Sequence, residues 1–161
     1  MSRYVSPDVR RERAARADFL SEYCLIAEED TFFGCEVEHI ISLKHGGSSE
    51  LDNLAYACAF CNRHKGSDNG SISVSGDVSK LLNPQWKAGE FSRFFNPRTD
   101  SWGEHFYLLP LTNFIRSLTT IGRVTSRILQ FNHSDQLLER NALYAVGRYP
   151  SEAAMARMFN T

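Results

Sequence analysis

The sequence of 161 residues contains no apolar run approaching the roughly 20 residues that a membrane-spanning helix needs. Its N-terminal stretch, MSRYVSPDVRRER, lacks the apolar core of a secretory signal peptide. The composition shows no sign of disorder or repeats, since 42% of the residues are hydrophobic and 23% are charged. These absences predict a soluble cytoplasmic protein without a membrane partner, long enough to bury a core.

Lysine is scarce, with 4 residues against 14 arginines, and the formal net charge is only −1. The strong positive charge of many nucleic-acid-binding domains is therefore missing. The planar fork of arginine nevertheless suits phosphate better than the point charge of lysine does. The bias towards arginine agrees with a phosphate-bearing partner, although genomic base content produces the same bias.

Cysteine is limited to four residues, Cys24, Cys35, Cys58 and Cys61. Because the chain has no secretory signal, these cysteines argue against a disulfide framework and for metal binding or free thiols. We therefore treat all four as candidate metal ligands.

Local sequence signals predict a mixture of helices and short strands. Ser6-Pro7-Asp8 combines a capping serine, a proline at the first helical position and an acid in the first turn. Residues 66–80 are rich in Gly, Ser and Asp and mark an internal boundary, and the aromatic residues that follow Pro84 predict a second layer of core. The predicted elements are a helix from Pro7 to about Leu20, strands at 36–43 and 54–57, a helix beginning near Asn62, strands at 106–109 and 113–118, a helix capped by Thr120, and a helix at 135–146.

Residues 36–65, EVEHIISLKHGGSSELDNLAYACAFCNRHK, carry three polar residues at a specific spacing. His39 and Asn53 are 14 positions apart, and Asn53 and Asn62 are 9 positions apart. Each alone has an ordinary explanation, as a core histidine, a turn residue or a helix cap. Their joint occurrence among further short motifs is specific. In order, these motifs are Glu38-His39-Ile40, Gly46-Gly47, Asp52-Asn53-Leu54, Cys58-x-x-Cys61-Asn62 and Lys65.

This ordered set resembles the HNH motif of bacterial HNH endonucleases. The resemblance implies an α+β fold in which a ββα-metal core with zinc-knuckle-like cysteines, at 17–70, carries a C-terminal α/β extension, at 84–150, within a single domain of residues 1–161. It also implies a metal-dependent endonuclease that hydrolyses phosphodiester bonds, with DNA as the expected substrate. The likeness continues in Phe95-Asn96-Pro97-Arg98, in Trp102-Gly103-Glu104-His105-Phe106 and in Leu118-Thr119-Thr120-Ile121-Gly122-Arg123.

The resemblance assigns the catalytic roles to two residues. His39 is implied as the general base that activates water, which suits an imidazole that titrates near pH 7. Asn53 is implied as its support, with an amide that ties the neighbouring loop together. Three basic residues are implied as nucleic-acid contacts: Lys65, Arg63 and His64.

The resemblance also places Glu38 and Asn62 at two metal-ligand positions. Both offer oxygen only, which favours Mg²⁺ or Mn²⁺ over zinc. Glu38 and His39 are neighbours, and neighbouring side chains of a regular strand point to opposite faces. We therefore expect the strand to bend there, or the site to lie at its edge.

A structural zinc site is implied by relatives that carry two Cys-x-x-Cys pairs. Here Cys58 and Cys61 form one pair, but the other would lie at 21 and 24, and position 21 is Ser21. The prediction is zinc bound by Cys24, Cys58 and Cys61, with Cys35 or a water as the fourth ligand. The alternative is a set of buried thiols that behave as small apolar residues.

Two alternative functions stay open. The chain could be a non-catalytic nucleic-acid-binding module, or a nuclease subunit that depends on a protein partner for targeting, and a homodimer is also open. Arg98 and His105 are polar residues in an aromatic setting. They either approach the phosphate or form buried structural hydrogen bonds.

Overall fold

A computed structural model describes residues 5–74 and 89–160 of the chain. Helix α1 spans Pro7–Arg16, and the Ser6 hydroxyl caps it by accepting a hydrogen bond from the Val9 amide. The start of this helix agrees with the prediction, but its end does not. Asp18 and Phe19 adopt positive φ angles of 53° and 55°, which are incompatible with a continuing helix, so α1 does not reach Leu20.

A β-hairpin followed directly by a helix forms the next unit. Strand β1 spans Cys35–His39 and strand β2 spans Leu54–Cys58, and the two pair antiparallel with Cys35 opposite Cys58 and His39 opposite Leu54. Helix α2 spans Ala59–Lys65 and packs against both strands. It begins three residues before Asn62 because the Cys58 sulfur, which accepts from the Cys61 amide, is its cap.

The segment between β1 and β2 contains two short 3₁₀ turns, Leu43–His45 and Leu51–Asn53. The strand predicted at 36–43 therefore ends at His39. Beyond this point Ile40 still donates its amide to the Asn53 carbonyl, but Ile41 is held by the Asn53 side chain instead of by a partner strand. At Ile41, hydrogen bonds from the Asn53 side chain thus replace the backbone hydrogen bonds between strands.

The second half of the described chain adds helices and two short hairpins. The predicted strands near 106 and 115 and the helices near 120 and 135 are present, and Thr119 caps the helix expected to be capped by Thr120. Residues 70–72 form a strand within the boundary segment at 66–80, whereas 75–80 and Trp86 lie outside the described residues. The elements are β3 (Gly70–Ile72) paired with β4 (Phe91–Arg93), α3 (Trp102–His105), β5 (Phe106–Leu108) paired with β6 (Ile115–Ser117), α4 (Thr120–Ile128), α5 (Ser134–Ala145) and α6 (Glu152–Phe159).

One cluster of buried hydrophobic side chains contains residues from both halves of the chain. Phe95, Trp102 and Phe106 belong to it, whereas Phe91 is exposed. Two hydrogen bonds from the second half reach the segment beside the hairpin. The Trp102 Nε1 donates to the Tyr23 carbonyl at 2.8 Å, and the Tyr149 hydroxyl donates to the Cys24 carbonyl at 3.1 Å. Aromatic side chains of the second half therefore support Tyr23 and Cys24 directly.

The acidic turn Glu28–Asp30 is paired with arginines. Arg10 donates to Glu28 at 2.6 Å, and Arg148 pairs with Glu29 and Asp30. Ion pairs therefore connect this turn to distant chain segments, since Arg10 and Arg148 balance its negative charges. No helix within the described ranges has the length and apolar character needed to cross a bilayer.

Candidate active site

His39 is the last residue of β1 and is half-buried. Its Nε2 lies 3.0 Å from the hydroxyl of Ser49, in the segment that connects β1 to β2. Burial, with a smaller contribution from the Lys65 ammonium, lowers the pKa of His39 below its ordinary value. The imidazole is therefore mainly neutral at pH 7, which is the state that accepts a proton.

Asn53 holds the segment that carries Ser49. Its Oδ1 accepts from the Ile41 amide at 2.8 Å, and its Nδ2 donates to the Ile41 carbonyl at 2.8 Å and to the Ser48 carbonyl at 2.7 Å. A Cβ added to Gly47 would lie 1.8 Å from the Ile41 carbonyl oxygen and 2.8 Å from Asn53 Nδ2. The loop therefore closes around the Asn53 amide only because position 47 has no side chain.

Glu38 points into the protein, with 5% of its surface exposed. One carboxylate oxygen accepts from the Tyr23 hydroxyl, and the other lies 3.0 Å from the Lys65 ammonium. Burial is the largest influence on this carboxyl group and raises its pKa, although Lys65 and Tyr23 act in the opposite direction. Glu38 is thus held firmly by two partners, and each of its oxygens accepts a single described hydrogen bond.

Lys65, predicted as a nucleic-acid contact, turns its ammonium inward. Its side chain is 1% exposed and donates to the His39 carbonyl at 2.9 Å in addition to pairing with Glu38. This lysine joins the end of α2 to the end of β1. It therefore holds the backbone at His39 from inside the protein.

Asn62 lies on the outer side of α2 and is half-exposed. Its Nδ2 donates to Glu36 Oε2 at 2.8 Å. Glu36 and Glu38 are two positions apart on β1 and share the face towards α2. The structure therefore brings Asn62 to the face of β1 that carries Glu38, but pairs it with Glu36.

The remaining basic residues of α2 are more accessible than Lys65. Arg63 is exposed, and His64 is half-exposed with its ring 4.1 Å from the ring of Phe60. His64 Nδ1 lies 2.8 Å from the Phe60 carbonyl, so its Nε2 is the nitrogen left for another partner. Both residues stand one or two positions after Asn62 on the same helix.

Three cysteines converge on the inner side of the hairpin. The sulfurs of Cys24, Cys58 and Cys61 all lie within 4.8 Å of one another, and those of Cys24 and Cys58 are 3.7 Å apart. Hydrogen bonds from the other two thiols lower the pKa of Cys24. Two zinc–sulfur bonds in tetrahedral geometry separate their sulfurs by about 3.8 Å, which agrees with this spacing. The cluster therefore fits a zinc ion with three thiolate ligands.

Ser21, and not Cys35, faces this cluster. The Ser21 hydroxyl accepts from the Cys58 amide at 3.2 Å and lies beside Cys24. Cys35 is buried opposite Cys58 in the hairpin, but its sulfur does not belong to the group of three. Burial raises the pKa of Cys35, so its thiol stays protonated. If zinc binds here, its fourth ligand would therefore be a water or the Ser21 hydroxyl.

Arg98 and His105 have structural partners away from His39. Arg98 forms a buried ion pair with Glu22, whose other oxygen accepts from the Tyr56 amide at 2.9 Å. His105 Nδ1 lies 2.6 Å from the hydroxyl of Thr119, the cap of α4. Of the two alternatives for these residues, the structure places both in buried hydrogen bonding.

The order and pairing of these elements, a hairpin followed by a helix with three converging cysteines, can be compared with known proteins. Residues 22–68 match the model of the HNH endonuclease family. We call this stretch the HNH segment. Neither the curated proteins nor the solved structures that were searched include a match to the chain.

The HNH match suggests a nuclease with a nucleic-acid substrate, and nucleases of this family use divalent metal ions. The two ligands expected from the sequence, Glu38 and Asn62, offer only oxygen, which suits a hard cation. Tyr23 and Lys65 orient the Glu38 carboxylate as supporting groups, and a carboxylate oxygen accepts more than one partner. The oxygen donors of these two residues are therefore compatible with a hard divalent cation.

Sequence reasoning missed three side chains that shape this site. Tyr23 binds Glu38 from 15 positions away, and the sequence around these two residues does not predict that contact. Ser49 reaches His39 through a loop whose path depends on Asn53. Glu36 could have been found, because it lies two positions from Glu38 and strand periodicity puts both on one face.

Proposed function

We propose that this chain is a metal-dependent HNH endonuclease that hydrolyses phosphodiester bonds in DNA, with His39 as the general base. The observation that carries the proposal is the placement of His39 at the end of β1, partly accessible and bonded to Ser49. The family match of residues 22–68 supports the reaction class. DNA is the substrate that the resemblance of the sequence favours.

His39 accepts the proton of the attacking water. In the tautomer that donates from Nε2 to Ser49, the lone pair lies on Nδ1, and Nδ1 receives the proton. Because burial and Lys65 keep the imidazole neutral, this lone pair is present at physiological pH. Asn53 contributes by positioning, since its three hydrogen bonds fix the segment that presents Ser49 to the ring.

Glu38 and Asn62 are the residues that would hold the divalent cation. When bound, such a cation stabilises the negative charge that develops on the phosphoryl oxygens and on the leaving group. Lys65 and Tyr23 orient Glu38 from the interior, and the cysteine cluster, with zinc, would fix the start of α2. Arg63 supplies positive charge and hydrogen-bond donors towards the substrate backbone, and His64 offers its Nε2 as a further contact.

The test is nicking of supercoiled plasmid DNA with Mg²⁺ or Mn²⁺ by the wild type and by His39→Ala. We expect the substitution to reduce the cleavage rate by at least about 100-fold, since a positioned general base contributes 10²–10⁴-fold. His45→Ala is the matched control, because His45 is an exposed histidine of the same connecting segment. Full cleavage by His39→Ala would contradict the assignment. DNA binding without cleavage by the wild type would favour a non-catalytic module instead.

A further inference from the structure

Glu36 places a second carboxylate beside Asn62. It is exposed to solvent, and its Oε2 lies 2.8 Å from Asn62 Nδ2. Glu36, unlike Glu38, has no ion pair with a lysine or arginine among residues 5–74 and 89–160. Its negative charge is therefore left for a partner from solution, whereas the charge of Glu38 is balanced inside the protein by Lys65.

We propose that Glu36 is a further cation-holding residue of the HNH segment, acting with Asn62 at the solvent side of the site. This inference rests on the proposed function, since it concerns the same divalent cation. Neither the sequence motif nor the family match assigns a role to position 36. Both carboxylates lie on the face of β1 towards α2, but only 5% of Glu38 is exposed, whereas Glu36 is exposed to solvent.

The separation of Glu36 and Asn62 matches the geometry of a small hard cation. Two neighbouring oxygen ligands of octahedral Mg²⁺, each 2.0–2.1 Å from the metal, are separated by about 2.9 Å. The two side-chain atoms observed here are 2.8 Å apart. Rotation of the Asn62 carboxamide by half a turn exchanges Nδ2 for Oδ1 at nearly the same position. Both ligand oxygens would then stand at the correct spacing without movement of the backbone.

The orientation of the amide also has a simple electrostatic reason. Two oxygens 2.8 Å apart repel each other unless a cation lies between them, so the amide presents its NH₂ group to the carboxylate when no cation is bound. Binding of a cation therefore exchanges one hydrogen bond for two metal–oxygen bonds. The same pair of side chains is satisfied in both states.

The experiment measures Mn²⁺ binding by electron paramagnetic resonance, which counts the free aqueous ion, on the full chain without DNA. Mn²⁺ prefers oxygen over thiolate, so the cysteine cluster does not compete for it. The variants are Glu36→Gln and, as a control of equal charge change, Glu12→Gln in α1. Glu12 is exposed and lies next to Arg13 at 3.3 Å. We expect Glu36→Gln to weaken Mn²⁺ binding by at least about tenfold, since affinity follows ligand charge, and Glu12→Gln to leave it unchanged.

Equal Mn²⁺ affinity in Glu36→Gln and the wild type would overturn this inference, and plasmid cleavage that still depends on His39 would leave the proposed function intact. Absence of any Mn²⁺ site in the wild type would overturn the inference as well. If the wild type bound Mn²⁺ through Glu36 but never cleaved DNA, the inference would stand and the proposed function would fail. Circular dichroism of both variants verifies that they fold.

Discussion

The Lys65 ammonium lies 3.0 Å from the Glu38 carboxylate, with 1% and 4% of their side chains exposed. The same ammonium donates to the His39 carbonyl, so one buried cation ties α2 to the two neighbouring residues at the end of β1. Glu38 and His39 point to opposite faces of a regular strand, as neighbours must. Lys65 connects these two residues, because its ammonium contacts the side chain of Glu38 and the backbone carbonyl of His39.

Replacement of Lys65 by alanine should therefore destabilise the protein strongly. Removal of one partner from a buried ion pair leaves the other charge without compensation, which typically costs about 3–5 kcal/mol. We expect the free energy of unfolding in urea to fall by about 3 kcal/mol. Lys44→Ala, at an exposed position in the 3₁₀ turn Leu43–His45, should change it by less than about 0.5 kcal/mol. Similar stabilities of the two variants would show that the buried pair is unimportant.

Gly47→Ala is predicted to disrupt the hydrogen bonds that the Asn53 side chain makes with Ile41 and Ser48. The added methyl group would meet the Ile41 carbonyl at 1.8 Å, which forces the backbone to move. The loop that presents Ser49 would then lose its hydrogen bonds to Asn53, and we expect a loss of about 2–4 kcal/mol in stability together with reduced cleavage. Urea unfolding and plasmid nicking measure the two effects.

Gly46→Ala is the informative comparison for this prediction. Its Cβ meets nothing within 4 Å, but its φ of 82° is left-handed, so alanine there costs only backbone strain of about 1 kcal/mol. If Gly47→Ala reduced the free energy of unfolding by no more than Gly46→Ala does, the steric argument would be contradicted.

Local signals in the sequence account for the parts of the fold that were predicted correctly. The capped start of α1, the strand at β2 and the helix that ends before Gly147 depend on residues close to one another in the chain. The length of β1 was overestimated because Asn53, a residue of the next element, takes over the hydrogen bonds of Ile41. No local pattern contains that information.

The inward orientation of the Lys65 side chain also depends on residues that are distant in the sequence. The resemblance implies a nucleic-acid contact for Lys65, yet this residue lies four positions after the buried Cys61, and residues four apart share a helix face. That spacing was visible in the sequence and predicts an inward side chain. Its partners Glu38 and the His39 carbonyl were not visible, because they lie 27 and 26 positions away, respectively.

His105 should make stability depend on pH. Burial lowers its pKa below the ordinary 6.5, so the unfolded chain binds a proton more readily than the folded chain does. The stability contributed by the neutral imidazole is therefore complete above about pH 6.5 and is lost as the pH falls through the folded pKa. We expect the free energy of unfolding to drop more between pH 7.5 and pH 5.5 in the wild type than in His105→Gln.

The glutamine variant keeps a side chain that can hydrogen-bond Thr119, so it isolates the protonation step. His45→Gln removes an exposed histidine and should reproduce the pH dependence of the wild type. Identical pH dependence in all three proteins would contradict a depressed pKa at His105.

Ser21→Cys should convert the three-cysteine cluster, a candidate zinc site, into one with four thiol groups. The Ser21 hydroxyl already faces Cys24 and the Cys58 amide, so a sulfur at this position would point at the cluster. A fourth thiolate replaces a weak oxygen ligand, and we expect zinc affinity to rise at least tenfold in competition with a chromogenic chelator. Cys35→Ala should leave zinc affinity unchanged, because Cys35 lies outside the group of three.

The same competition assay separates the two fourth-ligand hypotheses for the wild type. If Cys35 were the fourth ligand, Cys35→Ala would weaken zinc binding and Ser21→Cys would add little. If the fourth ligand is a water or the Ser21 hydroxyl, only the change at position 21 matters.

Because zinc in this cluster would fix Cys58 and Cys61 at the start of α2, the Ser21→Cys variant should also unfold at a higher temperature when zinc is present. An unchanged melting temperature with bound zinc would show that the cluster does not stabilise the hairpin and helix.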